Sequence, residues 1–327
     1  PSDWQAFSMQ VSNTQRVNAV LDWLRRPADI RPEFVTLYFD TVDSAGHDGG
    51  PESEEVNRAL ADVDQHIANL VSGLQTLGQP ANLVIVSDHG MAATGSDKVV
   101  GLADIVDPSL YRLVEGGAYA TFEPTEGNTA ALEAALLREH EHMECWRKGD
   151  MPARFQYGTH RRIPPYFCLP DTGWTIIPTA PEGSWHGGNH GFDPYSPEMT
   201  SLFIVNGPAF RHGTTLPSFQ NTAVTPLLRQ LLGLPQAAKT DGKLSDVSGA
   251  LLQRDDLKGP HYSDKLITIP MRAHCYVVDI FPKQFTYNEG LDLILPTIPK
   301  SSDVFFALTD VKQSGNELDM SQDTSKL

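Results

Sequence analysis

Residues 35–47 read VTLYFDTVDSAGH and change character after five positions. Residues 35–39 are apolar, β-branched and aromatic, which is typical of a buried strand. The residues that follow are small and polar, and they include Asp43, Gly46 and His47. This change predicts a strand that ends in a polar loop at one edge of a sheet.

The next forty residues show the period of a helix and then a second strand. Apolar residues recur at helical spacing after Pro51, and glutamates occupy the first turn. This stripe consists of Val56, Leu60, Val63, Ile67, Leu70 and Leu74. Residues 83–86 form a second apolar run that enters Ser87-Asp88-His89. Strand, helix and strand in this order predict a βαβ unit of a parallel sheet, hence an α/β fold.

Other segments are less regular. We predict helices over residues 130–141 and 224–232, a buried strand over 202–205, and an irregular insertion over 148–175. After residue 252 there are strand-like runs without long helical stripes between them, followed by a polar tail from Lys312. These runs are residues 266–269, 276–280, 291–295 and 304–308.

The composition limits the kinds of ligand. The chain has 327 residues, with 25 Lys+Arg against 41 Asp+Glu and a formal net charge of −16. Bulk charge therefore cannot hold a polyanion, which excludes a protein that coats a nucleic-acid duplex. A phosphate ligand would need localised cations, and bound metal is their most direct source. No apolar stretch approaches the roughly 20 residues of a spanning helix, so we expect no membrane contact from these residues.

Three short segments concentrate residue types that bind metals. Asp43 with His47 and Asp88 with His89 follow predicted strands, and His190 lies in a glycine-rich stretch. In parallel sheets, ligands bind beyond the carboxyl ends of the strands. Carboxylates and imidazoles give the mixed oxygen and nitrogen ligation that zinc accepts. Five ligands exceed what one catalytic zinc requires, so the set predicts two metal ions.

Each segment also has an ordinary interpretation. An Asp-His pair after a strand is more often a helix N-cap beside a histidine with a satisfied hydrogen bond. Asp43 and Gly46 are common turn residues, and His186 is an alternative to His190 in the same stretch. The three cysteines, at 145, 168 and 275, allow one disulfide with one cysteine left over.

A series of motifs resembles the nucleotide pyrophosphatase/phosphodiesterase family of the alkaline phosphatase superfamily. Residues 38–51 are similar to its Tyr-x-Glu-x-x-Asp-x-x-Gly-His-x-x-Gly-Pro motif, and residues 87–91 match its Ser-Asp-His-Gly-Met. Residues 190–193 match its His-Gly-Phe/Tyr-Asp, followed by Pro-x-Met at 197–199 and Gly-Pro-Ala-Phe at 207–210. The resemblance extends over about residues 1–245 and implies an α/β sandwich of the alkaline phosphatase type, with a central, mostly parallel sheet.

The resemblance also implies how the ligands are divided. Asp43, His47 and His190 would bind one zinc ion, and Asp88 and His89 would bind the second. Asp40 stands where the family usually has Glu, and we interpret it as a residue that supports the ligands. Counting back from Asp43 without gaps, Phe7 falls where the family places a Tyr that stacks on the nucleotide base, and Tyr38 where a pocket Tyr lies. The alternative is a core aromatic at residue 7 and an ordinary strand residue at 38.

One part of the family pattern has no counterpart. The family's nucleophilic Thr and one more zinc-binding Asp precede the matched region, and neither Thr41 nor Thr94 stands in a matching context. We therefore expect an N-terminally truncated catalytic domain over residues 1–251, without the first strands of its sheet. Residues 252–327 show no resemblance to the family and are expected to form an extension of uncertain fold.

The expected function is hydrolysis of phosphodiester or pyrophosphate bonds in small nucleotides, with release of nucleoside monophosphates. Alternatives are a lysophospholipid phosphodiesterase, a sulfatase-type hydrolase of the same superfamily, or a metal-binding remnant without activity. By the same resemblance, the protein would work outside the cytoplasm as a secreted, periplasmic or membrane-anchored form.

Overall fold

A computed structural model describes residues 3–180 and 182–252, together with the strand backbones of residues 267–272 and 304–310. The helices are α1 (Asn13–Leu24), α2 (Thr41–Gly49), α3 (Glu54–Leu77), α4 (Thr129–Leu136) and α5 (Val224–Leu231). The strands are β1 (Phe34–Phe39), β2 (Ala81–Ser87), β3 (Ala92–Gly95), β4 (Val99–Gly101), β5 (Tyr111–Glu115), β6 (Ala120–Pro124), β7 (Met143–Arg147), β8 (Tyr166–Pro170), β9 (Thr175–Ile177), β10 (His186–Asn189), β11 (Thr200–Asn206), β12 (Ile267–Arg272) and β13 (Val304–Asp310).

The central sheet has five strands in the order β1-β13-β2-β11-β12. The α/β class is confirmed, and β1 and β2 run parallel to each other as the βαβ pattern predicts. They are not neighbours, because β13 lies between them and pairs antiparallel with both. The β2–β11 and β11–β12 pairs are also antiparallel. The prediction of a mostly parallel sheet is therefore wrong for the described strands, since β13 comes from a distant part of the chain and not from a βαβ crossover.

Helices cover both faces of this sheet. Alternate residues of β1, such as Leu37 and Phe39, pack with apolar residues of α1 and α3 in one buried cluster. On β2, Ile85 joins that cluster, whereas Val84 points into a second cluster that contains Leu227 of α5. Successive strand residues face opposite sides, so β2 is buried on both faces. This arrangement explains why residues 83–86 are uninterrupted apolar residues.

A second sheet forms from the middle of the chain. It is antiparallel, in the order β5-β6-β8-β7, and α4 contributes Leu132 and Leu136 to its core. A disulfide joins Cys145 of β7 to Cys168 of β8, which are register partners. The prediction of an irregular segment over 148–175 is correct only as far as residue 165, because the apolar stretch from Tyr166 pairs with both β6 and β7.

Several other predictions have definite outcomes. The predicted helix over 130–141 ends at Leu136, before the polar sequence of residues 138–142. The strand-like runs 266–269 and 304–308 overlap β12 and β13, whereas the other two runs, the tail from Lys312 and Cys275 lie outside the described residues. The domain boundary at residue 251 stays a prediction. No described helix is both long and apolar enough to cross a membrane.

Candidate metal centre

Helix α2 carries the first two predicted ligands. The expected loop after β1 is a helix from Thr41 to Gly49, with Asp40 at its N-cap position. This finding corrects the expected loop. Residues four apart in a helix lie on one face, so Asp43 and His47 become neighbours. The distance between His47 Nε2 and Asp43 Oδ1 is 3.4 Å.

Asp88 and His89 lie in the turn between β2 and β3. No helix begins at this turn, so the helix N-cap interpretation does not apply. The distance between His89 Nε2 and Asp88 Oδ2 is 3.4 Å. Asn221 holds the turn from outside, because its side-chain amide donates a hydrogen bond of 3.2 Å to the Asp88 carbonyl.

Strand β10 delivers His190 to the same place. It pairs with β3, which follows the Asp88 turn, and His190 comes directly after its last residue. The His190 ring stacks on the His89 ring with centroids 3.5 Å apart, and its Nε2 lies 3.6 Å from Asp43 Oδ1. Ligand atoms of Asp43, His89 and His190 lie within 4.8 Å of one another. His186, at the exposed start of β10, is not in this group.

Hydrogen bonds fix the orientation of two imidazoles. Nδ1 of His47 lies 2.9 Å from the Gly188 carbonyl, and Nδ1 of His89 lies 3.0 Å from the Gly90 carbonyl. A carbonyl oxygen only accepts, so each Nδ1 carries the hydrogen and donates it. The lone pair of each ring is then on Nε2, the atom that faces a carboxylate. A backbone partner of this kind is the usual support of a metal-binding histidine.

The electrostatic environment keeps His190 neutral. Burial lowers the pKa of its imidazole to about 3, and the nearby His89 and His47 add to this effect. Charging an imidazole in a half-buried cluster of imidazoles is unfavourable, because water is partly excluded and like charges would repel. A neutral imidazole is the form that binds metals. His190 is therefore in the binding form at physiological pH.

The spacing of the donor atoms fits zinc. Two ligands at about 2.0–2.1 Å from a tetrahedral zinc ion are roughly 3.3 Å apart. The separations of Asp43 Oδ1 from His47 Nε2 and His190 Nε2 are 3.4 and 3.6 Å, and that of His89 from Asp88 is 3.4 Å. These separations are too long for good hydrogen bonds, yet close to the edge of a zinc tetrahedron. These three separations and donor types suit zinc, but His47 and Asp88 are not in the group of three donors, Asp43, His89 and His190, that lie within 4.8 Å of one another.

Two glycines let the backbone come close at the centre. A Cβ on Gly90 would lie 1.9 Å from the carbonyl oxygen of Glu198, and one on Gly187 would lie 2.4 Å from that of His47. Real Cβ atoms do not approach backbone oxygens so closely, so any side chain at either position would push the segments apart. Such close approach is a recognised role of glycine. Sequence reasoning did not single out Gly90, Gly187 or Asn221, and only the glycine-rich motifs around the histidines hinted at them.

The two aromatic residues assigned to substrate meet near the carboxyl end of β1, the end that leads into α2. The ring centroids of Phe7 and Tyr38 are 5.5 Å apart, in an edge contact. Phe7 is 59% exposed, so it is not a core aromatic. Tyr38 is the second residue before Asp40, which begins the helix of Asp43 and His47. Their role in binding a base stays a prediction.

Comparison with known proteins identifies a family and individual relatives that are similar to this chain in sequence. Residues 1–193, more than half of the chain, match the family described as type I phosphodiesterase / nucleotide pyrophosphatase. The bis(5'-adenosyl)-triphosphatase ENPP4 of Bos taurus is 35% identical over 237 residues, which are 72% of this chain and 51% of that protein. Ectonucleotide pyrophosphatase/phosphodiesterase family member 1 of Rattus norvegicus is 36% identical over 254 residues, 74% of this chain and 28% of that protein. The chain thus spans about half the length, or less, of these relatives.

Solved structures agree in fold. Murine ectonucleotide pyrophosphatase/phosphodiesterase 5 superposes with a TM-score of 0.68 at 28% identity, covering 76% of this chain and 66% of that one. An inactive variant of the same murine protein, solved in complex with AMP, has the same similarity. The expected alkaline-phosphatase-like α/β fold is thereby confirmed, and the names of these relatives describe phosphodiesterases and pyrophosphatases. The chain belongs to the type I phosphodiesterase / nucleotide pyrophosphatase family.

Proposed function

We propose that the full-length protein is a two-zinc hydrolase of phosphodiester and pyrophosphate bonds in small nucleotides, releasing nucleoside monophosphates. The observation that carries this proposal is the spacing of Asp43, His47 and His190 on one side and of Asp88 and His89 on the other. The Asp43–His47, Asp43–His190 and Asp88–His89 separations are each close to that of neighbouring ligands around a zinc ion. His89 also lies against His190, so the two sets are adjacent, as a two-metal site requires.

The residues of the chain would divide the work as follows. Asp43, His47 and His190 would hold one zinc ion, and Asp88 and His89 would hold the other. Bound zinc would supply positive charge to the phosphoryl oxygens and lower the pKa of an attacking hydroxyl group. The backbone carbonyls of Gly188 and Gly90 would keep the imidazoles pointed at the ions.

The nucleophile is expected from a Thr outside these 327 residues, by resemblance to the family. Its hydroxyl would lose its proton and attack phosphorus while the bond to the leaving group breaks on the opposite side. Water would then cleave the new bond between Thr and phosphorus and release the nucleoside monophosphate. The described carboxylates do not have to act as general bases in this scheme, because they serve as ligands. The net charge of −16 is then compatible with an anionic substrate, since the ions provide the cationic charge locally.

The aromatic pair supports a nucleotide as substrate. An exposed Phe7 ring beside Tyr38 offers a π face on which a base can stack. The AMP complex of the murine neighbour supports the same substrate class.

The disulfide supports a location outside the cytoplasm. The Cys145–Cys168 bond is of a kind that persists in oxidising compartments, where thiols are not kept reduced. We propose that the protein acts as a secreted, periplasmic or membrane-anchored enzyme. Recovery of the native protein with both thiols reduced would contradict this part of the proposal.

The test replaces two residues that are assigned to the first zinc ion, Asp43 and His190. In the full-length protein, Asp43→Ala and His190→Ala are each expected to lower hydrolysis of a p-nitrophenyl nucleotide ester by about 1,000-fold or more. Both should also lower the zinc content measured by mass spectrometry. Asp48→Ala is the matched control, because Asp48 is an exposed carboxylate on the same helix.

Retained turnover with unchanged zinc content in both variants would contradict the two-zinc proposal. The substrate class is tested separately, with a panel that compares the nucleotide ester with phosphocholine esters. Faster turnover of phosphocholine esters would favour the lysophospholipid alternative and overturn the nucleotide assignment.

A further inference from the structure

Arg16 of α1 is a nearly buried cation whose guanidinium group has four hydrogen-bond acceptors. Its side chain is 10% exposed, and Nη1 lies 2.8 Å from a carboxylate oxygen of Asp40, which is itself 13% exposed. Nη1 also donates to the Tyr38 carbonyl at 2.8 Å, Nε to the Val11 carbonyl at 3.1 Å, and Nη2 to the Ser8 carbonyl at 3.0 Å. A buried charge is tolerated only when it is paired and hydrogen-bonded, and Arg16 meets both conditions.

These acceptors belong to separate parts of the chain. Ser8 and Val11 follow Phe7 in a segment without helix or strand, whereas Tyr38 is the second-last residue of β1 and Asp40 is the N-cap of α2. One planar guanidinium thus joins the segment next to Phe7 to the strand end and to the helix that carries Asp43 and His47. Only a fork of several fixed donors can hold such different acceptors at once, which is a property of Arg and not of Lys.

The guanidinium also lies close to both aromatic rings. Its central carbon is 5.4 Å from the centroid of the Phe7 ring and 6.0 Å from that of Tyr38. The two rings themselves are 5.5 Å apart. A cation at these distances is attracted to the ring faces, so Arg16 holds the aromatic pair by its charge as well as through the backbone.

We propose that Arg16 is a positioning residue for nucleotide binding: it fixes the Phe7–Tyr38 pair relative to helix α2 and thereby sets the distance between base and phosphate. This inference rests on the proposed function. It adds that selectivity for a substrate with a base depends on a residue outside the aromatic pair and the metal ligands. The Phe7 segment has no regular structure of its own, and two of its carbonyls, those of Ser8 and Val11, accept hydrogen bonds from Arg16.

The variant that tests this role is Arg16→Lys. Lysine keeps a positive charge beside Asp40, which protects the fold, but its single ammonium group cannot reach all four acceptors. Arg25→Lys is the matched control, because Arg25 caps the end of the same helix and its ion pair with Asp22 is exposed. In the full-length enzyme, kcat/KM is measured for a p-nitrophenyl nucleotide ester and for bis(p-nitrophenyl) phosphate, which lacks a base.

The expected result is a fall of about tenfold in the ratio of the two kcat/KM values for Arg16→Lys, with no change for Arg25→Lys. The fall should appear mainly in KM for the nucleotide ester. An unchanged ratio would overturn the proposal. This includes an equal loss on both substrates, because Arg16 would then support the structure without selecting the base.

Hydrogen exchange provides a readout that does not depend on turnover. The Val11 amide donates to the Ser8 carbonyl at 3.1 Å, so it reports on the order of the Phe7 segment. Arg16→Lys is expected to speed exchange over residues 7–11 at least severalfold while α2 remains protected. Unchanged exchange would overturn the positioning role. If the wild-type enzyme does not cleave nucleotide esters, the proposed function fails, and the exchange result still decides whether Arg16 orders this segment.

Discussion

The candidate metal centre and the four-stranded sheet arrange their charged side chains in opposite ways. At the centre, oxygens of Asp43 and Asp88 lie 3.4 to 3.6 Å from imidazole nitrogens, the spacing of ligands around an ion. Beside the four-stranded sheet, Glu133 of α4 accepts hydrogen bonds of 2.6 to 2.9 Å from Arg147 and Tyr166 of the sheet. The second group satisfies itself, whereas the first suits an added cation. We infer from this difference that the first region is suited to ligand binding and the second to stability.

The largest effect on stability should come from substitution of Gly90, which allows two backbone segments of the metal centre to approach each other closely. In Gly90→Ala, the new methyl group would meet the Glu198 backbone, so we expect a loss of about 4 kcal/mol or more in the free energy of unfolding. Gly149→Ala is the control, because a Cβ there has no atom within 4 Å. Denaturation by urea measures both. Equal stability of the two variants would mean that the Gly90 turn is not tightly packed.

Removal of the disulfide tests the stabilising role of the other region. The Cys145–Cys168 bond closes a loop with a sequence separation of 23, so the double variant Cys145→Ala/Cys168→Ala should lose about 3 kcal/mol. Its zinc affinity at a temperature where it remains folded should not change. A large loss of zinc affinity in the folded variant would break the division between the two regions.

Arg154 tests whether the regions are coupled. It lies beyond β7 and forms two hydrogen bonds of 2.9 and 2.6 Å with Asp193, three residues after His190. Arg154→Met is expected to weaken zinc binding about tenfold, because the His190 loop loses an anchor. Arg112→Met, which breaks the exposed pair with Glu123 in the four-stranded sheet, is the control. Competition with a chromophoric chelator measures both affinities, and equal values would show that the loop is held without Arg154.

The smallest effect concerns the pH dependence of stability. Hydrogen bonds from Arg147, and then from Tyr166, lower the pKa of Glu133 from 4.5 to about 2. The ionised form is favoured in the folded state, so its contribution is fully present above about pH 4.5 and disappears as the pH falls through about 2. Glu133→Gln should therefore lower the melting temperature at pH 7, and the difference from wild type should shrink over this interval. The same substitution at the exposed Glu126 should produce no such trend.

The sequence pattern placed four of the predicted ligands by the strands that they follow. Asp88 and His89 come directly after a buried apolar run, and the prediction placed them correctly at a strand end. It described the segment of Asp43 and His47 as a loop because the residues there are small and polar, and because Asp and Gly are common turn residues. Packing overrides that propensity: a Cβ on Gly46 would lie only 3.0 Å from the Met91 side chain, so glycine lets α2 approach the Asp88 turn.

Long-range pairing was beyond the sequence patterns. Nothing in residues 304–308 indicates that this run lies between β1 and β2, because strand order depends on contacts more than 200 residues apart in the chain. Three cysteines allow three pairings, and only the register of β7 with β8 shows which one forms. Arg16 was not predicted as a functional residue, since its acceptors are mostly backbone carbonyls that carry no side-chain signal.

The disulfide also determines what a protease can separate. Residues 146–167 lie between the bonded cysteines and contain the trypsin sites Arg147, Lys148, Arg154, Arg161 and Arg162. A single cut after any of them divides the backbone between His89 and His190, yet the two pieces stay covalently linked. Such nicked protein should migrate as one band in a non-reducing gel and as two after reduction. A backbone break between Cys145 and Cys168 therefore leaves the predicted ligands on both sides of the cut in one covalently connected molecule.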